Sequence, residues 1–272
     1  QLVALQEVVG GILDNFVADR LGGEPVDGNT ARELRDLLRD RGVQCDLRTA
    51  FSSGVPALYE VANANLVCGC QFTGNKLVRL LTPASEGLTV AGVTVELTRS
   101  VLMTRLDTES GSFNIYNTHL CSLCNQQERL RQIREALNFI SEVESFVPAD
   151  HIIFLGDFNS LMGDQVYGRL TSNGFIDTYA EATGISLQNG IDPSCSLLGS
   201  GNTQSCTIGV SQVIDPVLGP ATLPVRIDYI FDKGPWTIVD SLVVFNPLAA
   251  AGQGQSVSDH SAVISSFGPA SP

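Results

Sequence analysis

The most informative stretch of this sequence reads Ile152-Ile153-Phe154-Leu155-Gly156-Asp157-Phe158-Asn159. Its short apolar run predicts a buried strand, and Gly156 permits an abrupt turn at the end of that strand. Because side chains alternate along an extended chain, we expect Asp157 and Asn159 to point the same way, with Phe158 turned back. A carboxylate that orients water and an amide that holds a phosphoryl oxygen would suit phosphate hydrolysis. Asp and Asn are equally typical of a tight turn, so this stretch alone leaves both interpretations open.

The size of the chain suits one large domain. It has 272 residues, 43% of them hydrophobic, which is enough for a sizeable α/β or β-sandwich core. No apolar run approaches the roughly 20 residues that span a bilayer, and the start does not resemble a signal peptide. Residues 1–7 resemble a core strand entered partway, so we expect the natural N-terminus to lie upstream. With no repeat or linker in view, a single domain over residues 1–272 is predicted.

The charge balance is strongly acidic. There are 16 Lys and Arg residues against 29 Asp and Glu residues, a formal net charge of −13. The arginines of residues 32–41 alternate with acidic residues, a pattern that favours a solvated helix face over a nucleic-acid surface. This argues against tight DNA binding through broad phosphate neutralisation. A nuclease is not excluded, because metal ions can offset the repulsion locally.

Six of the seven cysteines form close pairs in the sequence: Cys68 and Cys70, Cys121 and Cys124, and Cys195 and Cys206. The last pair flanks a Gly/Ser/Asn-rich segment that a disulfide could close. The first two pairs could instead bind a structural zinc ion. Disulfides in an exported protein agree better with the few lysines and the polar loops, which predicts a secreted or periplasmic location. Cys45 is then the residue expected to be left as a free thiol.

Local patterns predict alternating helices and strands. A capping box at Thr30 and Glu33 starts a helix, strand-like signals run over Val43–Leu120, and apolar residues at helical spacing predict a helix at Gln126–Phe146. His151 is expected to be a surface residue before the strand that starts at Ile152. Four further elements are predicted: a helix at Gln165–Asn173 and strands at Val225–Phe231, Ile238–Phe245 and Ala262–Ser266.

Polar side chains accompany four other predicted strands, at Gln6-Glu7, Asn117-Thr118-His119-Leu120, Arg226-Ile227-Asp228-Tyr229-Ile230-Phe231 and Ser258-Asp259-His260-Ser261. Each predicted strand begins or ends beside these groups. Taken singly, they have ordinary structural explanations. Glu7 could be a surface acid, His119 a structural histidine and Asp259 a turn cap. Asp228 could pair with Arg226.

Together and in this order, the five motifs resemble the endonuclease/exonuclease/phosphatase family, which has the DNase I-like fold. The resemblance extends from Gln6 to Phe267. It implies an α/β fold, a four-layer sandwich of two mostly antiparallel β-sheets flanked by helices. It also implies metal-dependent hydrolysis of a phosphodiester by in-line attack of an activated water, at an edge where strand ends converge.

The resemblance also implies a role for each site residue. Glu7 is similar to the family's principal Mg²⁺ ligand, and Asp259 would complete the metal site, at which Mn²⁺ or Ca²⁺ is also possible. Asp157 would orient or deprotonate the attacking water. Asn159 would hold a phosphate oxygen.

Two histidines and a further carboxylate complete the expected site. Asp228 resembles the partner that fixes His260, which would bind the phosphate or assist as general base. His119 would donate to a phosphoryl oxygen or protonate the leaving group. An aromatic residue stands at the position of His119 in the apurinic-site endonucleases, so this histidine weighs against that branch.

Two departures from the family pattern stand out. The family's early strand, which ends in an Asn near the metal, would precede the first residue of this sequence. In addition, Arg99-Ser100 stands where the nucleases place a Glu beside an Arg to orient the histidine that matches His119. His119 is therefore expected to be held less firmly.

Three functions remain open from the sequence. The first is an exported endonuclease of low specificity, acting as a monomer. The second is a lipid-headgroup phosphoesterase of the sphingomyelinase or phosphoinositide type, which the acidic charge favours. No aromatic-rich hairpin for membrane insertion stands out, and the cysteine-flanked loop resembles exported nucleases, so nucleic acid is the preferred substrate. The third is a catalytically dead binding module, against which the intact motif residues argue.

Overall fold

The computed structural model describes residues 1–10, 30–55, 59–82, 87–90, 93–96, 99–187, 192–193, 195, 205–208, 225–244 and 260–268. The chain forms two compact units, Gln1–Gly156 and Asp157–Pro272. The single domain expected from the sequence stays a prediction. Within the described part, every helix is too short or too polar to cross a bilayer.

The first unit consists mainly of strands. Its described elements are β1 (Leu2–Gly10), α1 (Thr30–Asp40), β2 (Cys45–Val55), β3 (Tyr59–Cys68), β4 (Thr73–Leu80), β5 (Gly87–Val90), β6 (Val93–Glu96), β7 (Ser100–Thr108), β8 (Gly111–His119), α2 (Gln126–Phe146) and β9 (His151–Asp157). Strands β1, β3 and β2 pair antiparallel in that order. Strands β9, β8, β7 and β4 are successive neighbours in a second sheet. The predicted run of strands up to Leu120 and the helix at Gln126–Phe146 are thus confirmed.

Alternation along β3 determines what each face of the first sheet contacts. Ala62, Ala64 and Leu66 are buried in one apolar cluster with Ala31 of α1. The residues between them point to the opposite face. There Asn65 donates to Thr104 Oγ1 of β7 at 3.0 Å. One side of this sheet therefore packs on a helix and the other on the second sheet.

The second sheet repeats this arrangement with α2. Tyr116 of β8 donates its hydroxyl to Glu144 of α2 at 2.7 Å, and its ring meets Phe139 edge-on. Burial and the Glu144 carboxylate raise the pKa of Tyr116, so the phenol stays protonated. The next residue, Asn117, contacts the first sheet. The first unit is thus layered helix, sheet, sheet, helix, as the family resemblance implies.

A polar seam centred on Asn117 joins the two sheets. Its Nδ2 lies 3.1 Å from the carbonyl oxygens of Leu5 and Ala64 and 2.9 Å from Asn65 Oδ1. Its Oδ1 accepts from Gln6 Nε2 at 2.8 Å. The register of β1 shifts between Leu5 and Val8. Gln6 and Glu7 therefore lie at a bulge inside β1, where the seam holds the chain, and the prediction that they end the strand was wrong.

His151 is not the surface residue expected from the sequence. It begins β9, is only 2% exposed, and stacks on Phe113 with ring centroids 4.7 Å apart. Burial lowers the pKa of His151, an effect that the neighbouring Asp150 carboxylate opposes. The strand starts one residue earlier than its apolar pattern suggests, and the imidazole ring fills a core position there.

The cysteines form three disulfides: Cys45–Cys68, Cys121–Cys124 and Cys195–Cys206. The last confirms the predicted closure. The prediction of a free Cys45 was wrong, because Cys45 lies opposite Cys68 in the β2–β3 register, and Cys70 is the exposed free thiol. The alternative of a structural zinc is also wrong, since three of its four thiolates are in disulfides.

The described elements of the second unit are α3 (Gln165–Ser172), β10 (Ile176–Asp177), α4 (Thr178–Thr183), β11 (Asp228–Lys233), β12 (Thr237–Val244) and β13 (Ala262–Gly268). Strand β10 pairs with β11, and β12 with β13, both antiparallel. Asp164 and Asp177 cap α3 and α4 by accepting backbone N–H groups. The predicted helix near residue 165 and the last two strands are confirmed to within a few residues.

Strand β11 begins three residues later than predicted. Val225 forms an isolated bridge with Ile208, and Ile227 donates its N–H to the Thr207 hydroxyl while its carbonyl accepts from Phe158 N. The backbone before Asp228 is therefore bonded to loop residues instead of to a strand ladder. Asp228 becomes the first residue of the strand.

Candidate active site

Asp157 and Asn159 flank a core residue, as the alternation predicts. Phe158 is 1% exposed, and its ring meets Tyr229 and Phe231 edge-on at 6.0 and 5.3 Å. Asp157 Oδ1 accepts the backbone N–H of Asn159 at 2.7 Å. Asn159 has φ 46°, a left-handed conformation that Asn tolerates better than most residues. The stretch is therefore a tight turn that also presents a carboxylate and an amide.

Gly156 has a different role from the expected one. Its φ is 137°, and a Cβ there would lie 1.9 Å from the carbonyl oxygen of Thr118 in β8. Glycine is needed because the two strands approach closely at this point. The chain itself turns at Asn159.

Asp157, Asp228 and His260 lie together in the second unit. Each offers a ligand atom, and these atoms all lie within 4.8 Å of one another. His260 Nδ1 is 2.9 Å from Asp228 Oδ2, so the carboxylate fixes the orientation of the imidazole. Asp157 is buried, whereas Asp228 and His260 are partly exposed. Two carboxylates beside an imidazole form a donor set that a divalent cation accepts.

Arg226 does not pair with Asp228. Its guanidinium is buried and binds Asp177 Oδ2 at 2.8 Å and Asp192 Oδ2 at 3.1 Å. It also lies over the Tyr229 ring, 4.7 Å from its centroid. Burial lowers the pKa of Arg226, but the nearby carboxylates, Asp177 foremost, outweigh this and raise it overall. Arg226 therefore stays charged, and Asp228 pairs with His260.

His119 ends β8 in the first unit and is 6% exposed. Its Nδ1 lies 3.2 Å from Arg99 Nη1. A guanidinium only donates, so Nδ1 must accept and a neutral His119 carries its proton on Nε2. The sequence lacks the expected orienting carboxylate, but Arg99 orients the ring directly.

Two predicted metal ligands lie partly or wholly outside the described residues. Glu7 belongs to β1, but its side chain is not among the described ones, and Asp259 is outside altogether. Their assignment as metal ligands stays a prediction.

Sequence reasoning missed Thr207, which the structure places beside the Asp228 backbone. It lies in the loop-rich segment before β11. Only the adjacent Cys206, one of the predicted disulfide cysteines, marks its position.

Comparisons agree on one family. The sequence model of the Endonuclease/Exonuclease/phosphatase family matches residues 2–260. No curated protein matches the sequence. An endonuclease/exonuclease/phosphatase from Beutenbergia cavernae has a similar structure, with 16% identity and a TM-score of 0.64 over 99% of this chain and 62% of that one. This chain thus spans less than two thirds of that relative.

Two further solved structures cover more of their own length. A family protein from Leptotrichia buccalis has 18% identity and a TM-score of 0.63, with 98% of this chain and 87% of that chain covered. A mannosyl-6-phosphatase from Bacteroides thetaiotaomicron has 14% identity and a TM-score of 0.56, with 98% of each chain covered. These similarities confirm the predicted fold class.

Proposed function

We propose that this chain, which belongs to the endonuclease/exonuclease/phosphatase family, is a metal-dependent phosphodiester hydrolase. Members of the family are hydrolases that act on phosphoester bonds. The main support is the second unit's cluster, in which a buried Asp157 lies near an Asp228–His260 hydrogen-bonded pair. A catalytically dead binding module would have no need to keep this pair in hydrogen-bonding geometry.

The roles follow from the chemistry of each group. Asp157 takes a proton from water as the water oxygen attacks phosphorus and the bond to the leaving oxygen breaks. Asn159 donates its side-chain amide to a phosphoryl oxygen. Asp228 accepts from His260 Nδ1, which stabilises the imidazole in the orientation that serves the phosphate. On the family resemblance, His119 gives its Nε2 proton to the leaving oxygen.

A divalent cation suits the donors that the chain offers. Within the second unit, Asp157 and Asp228 would offer it carboxylate oxygens. The resemblance assigns Glu7 and Asp259 as metal ligands. Hard cations such as Mg²⁺ prefer oxygen donors, and Mn²⁺ or Ca²⁺ accept a similar set. When bound, such a cation neutralises negative charge on the phosphoryl group.

The proposed substrate is nucleic acid, cleaved as an exported, low-specificity endonuclease. Three disulfides agree with an oxidising compartment. The net charge of −13 predicts weak DNA binding with few phosphate contacts. The same charge favours a second candidate, a lipid-headgroup phosphoesterase, because a zwitterionic headgroup is not repelled by an acidic protein.

A substrate panel tests this proposal. The purified protein is incubated with supercoiled plasmid, RNA, sphingomyelin vesicles, phosphoinositides, mannose 6-phosphate and bis(p-nitrophenyl) phosphate, with Mg²⁺, Mn²⁺, Ca²⁺ or EDTA. We expect plasmid nicking with Mg²⁺. EDTA and the Asp157→Asn substitution should abolish it, and Asp240→Asn, a matched control at an exposed position, should retain it. Lipid cleavage with intact plasmid would favour the second candidate. Absence of turnover on every substrate would leave only the binding module.

A further inference from the structure

We propose that Thr207, anchored by the Cys195–Cys206 disulfide, is a positioning residue that holds the Asp228–His260 pair in working geometry. This proposal rests on the proposed function of that pair. Thr207 is fully buried in the second unit and follows the disulfide directly. It forms hydrogen bonds with the backbone N–H groups of Asp228 and of Ser261, the residue after His260.

The Thr207 hydroxyl contacts the segment that carries Asp228. Its Oγ1 accepts the backbone N–H of Ile227 at 3.1 Å and that of Asp228 at 3.2 Å. The Ile227 N–H precedes β11 and the Asp228 N–H belongs to its first residue, and the Thr207 hydroxyl gives both a buried partner. The first residue of the strand, and with it the carboxylate, is placed by this contact.

The Thr207 backbone contacts the segment that carries His260. Its carbonyl accepts the N–H of Ser261 at 2.7 Å, one residue after the histidine. Its own N–H donates to Val225 O at 3.0 Å, next to the bridge between Ile208 and Val225. One buried residue therefore links two segments that are 32 positions apart in the chain and meet in the 2.9 Å Asp228–His260 hydrogen bond.

The Cys195 side of the disulfide also contacts the segment that leads to Asp228. Cys195 donates its N–H to Asp192 O, and the Asp192 carboxylate binds Arg226 at 3.1 Å. Arg226 is therefore bonded to Asp192, near Cys195, and the next two residues are bonded to Thr207, next to Cys206. Both cysteines are buried, so the bridge acts as a permanent clamp.

Hydrogen-bonded catalytic groups tolerate little displacement. A shift of about 1 Å in a supporting element can reduce turnover by about 100-fold without removing any reacting group. We therefore expect Thr207→Val, which keeps the shape and removes the hydroxyl, to lower kcat by about 10- to 100-fold with little change in KM. Thr207→Ser keeps the hydroxyl and is expected to restore most of the activity.

The matched control is Thr178→Val. Thr178 is also fully buried in the second unit, and its hydroxyl bonds Ile230 O and Ser265 Oγ instead of the backbone at Asp228 or His260. Thr178→Val should lose about as much unfolding free energy as Thr207→Val and keep the wild-type kcat per folded molecule. If Thr207→Val lost activity only in proportion to its unfolded fraction, as the control does, the proposal would be wrong.

Histidine NMR separates this proposal from the proposed function. The chain has three histidines, so ¹⁵N-labelled imidazole signals can be assigned with a His260→Gln variant. Thr207→Val should shift the His260 signals, and Thr178→Val should not. An unchanged His260 spectrum in Thr207→Val would overturn the positioning role even in an active enzyme. If Thr207→Val shifted the His260 signals but the wild-type protein turned over no substrate, the positioning role would stand and the proposed hydrolase function would be refuted.

The disulfide is tested by the Cys195→Ala/Cys206→Ala double variant. It should shift the same His260 signals and lower kcat, whereas Cys45→Ala/Cys68→Ala, which removes a disulfide of the first unit, should leave the His260 signals in place. Equal effects of the two double variants would contradict the clamp.

Discussion

The Nη1 atom of Arg99 lies 3.2 Å from Nδ1 of His119, and both residues are almost fully buried. An arginine can only donate, so this contact selects the histidine tautomer that has its proton on Nε2. In its neutral form His119 can therefore donate from Nε2.

We expect Arg99→Met to impair catalysis through the tautomer of His119. Loss of the donor lets Nδ1 carry the proton, and kcat should fall by about 10-fold or more, on the scale of a lost general acid. The tautomer is read from ¹⁵N chemical shifts of labelled histidine. The control is Arg105→Met in β7, the strand that begins directly after Arg99, and its guanidinium binds Asp107 and Asn114. An unchanged His119 tautomer in Arg99→Met would contradict the assignment.

We expect Asn117→Leu to lower the free energy of unfolding by about 3 kcal/mol. The substitution leaves the Gln6 amide and the buried acceptors of the seam without partners, and each unsatisfied buried group costs about 1–3 kcal/mol. Urea denaturation measures the change. Asn125→Ala, which removes the N-cap of α2, should cost only about 1 kcal/mol. If both variants lost the same unfolding free energy, the seam would stabilise the fold no more than a single helix cap does.

The parts of the fold that the sequence predicts are those with a local signal. The α2 stripe repeats every three or four residues, and Phe158 is core-facing because strand side chains alternate. The sequence misplaces His151 because its partner, Phe113, lies 38 positions earlier and no local pattern marks the contact. Burial of a polar ring depends on that distant neighbour.

The site shows the same division. Five short motifs predict its residues, and the structure brings three of these, Asp157, Asp228 and His260, together. The contacts that hold these residues in place cannot be read from the motifs. Thr207 supports Asp228 from 21 positions away, and Gln6 reaches Asn117 across 111. Such contacts depend on how the chain folds back, which spacing along the sequence does not encode.

Asp232 makes stability depend on pH. It is 1% exposed, its Oδ1 has no hydrogen-bond partner within the described ranges, and burial raises its pKa from 3.8 to about 6. Below pH 3.8 the carboxyl group is neutral in the folded and unfolded states, so it costs nothing. Above pH 6 the folded state must bury the charge, which corresponds to about 3 kcal/mol at most. Stability is therefore lost as the pH rises between these values.

We expect Asp232→Asn to stabilise the protein at about pH 7.5 by up to about 3 kcal/mol and to have almost no effect near pH 3. Chemical denaturation at several pH values measures the difference in unfolding free energy from the wild type. Asp240→Asn, at an exposed position of β12, supplies the matched control with no such trend. A gain from Asp232→Asn that stayed constant with pH would refute the buried-charge explanation.

The close approach at Gly156 leads to a prediction that two alanine substitutions can test together. A methyl group at Gly156 would meet Thr118 O at 1.9 Å, and the φ of 137° disfavours any side chain, so Gly156→Ala requires both strands to move. Gly168 lies inside α3, and a methyl group added there would have no described atom within 4 Å. Gly168→Ala should therefore stabilise the helix by about 1 kcal/mol, whereas Gly156→Ala should destabilise the fold by several times that amount, on the scale of a severe core defect. Thermal denaturation of both variants measures the contrast.

Because Gly156 directly precedes Asp157, the histidine NMR spectrum of Gly156→Ala should also shift at His260. A fully stable Gly156→Ala protein would mean that the two strands do not approach as closely as the structure places them.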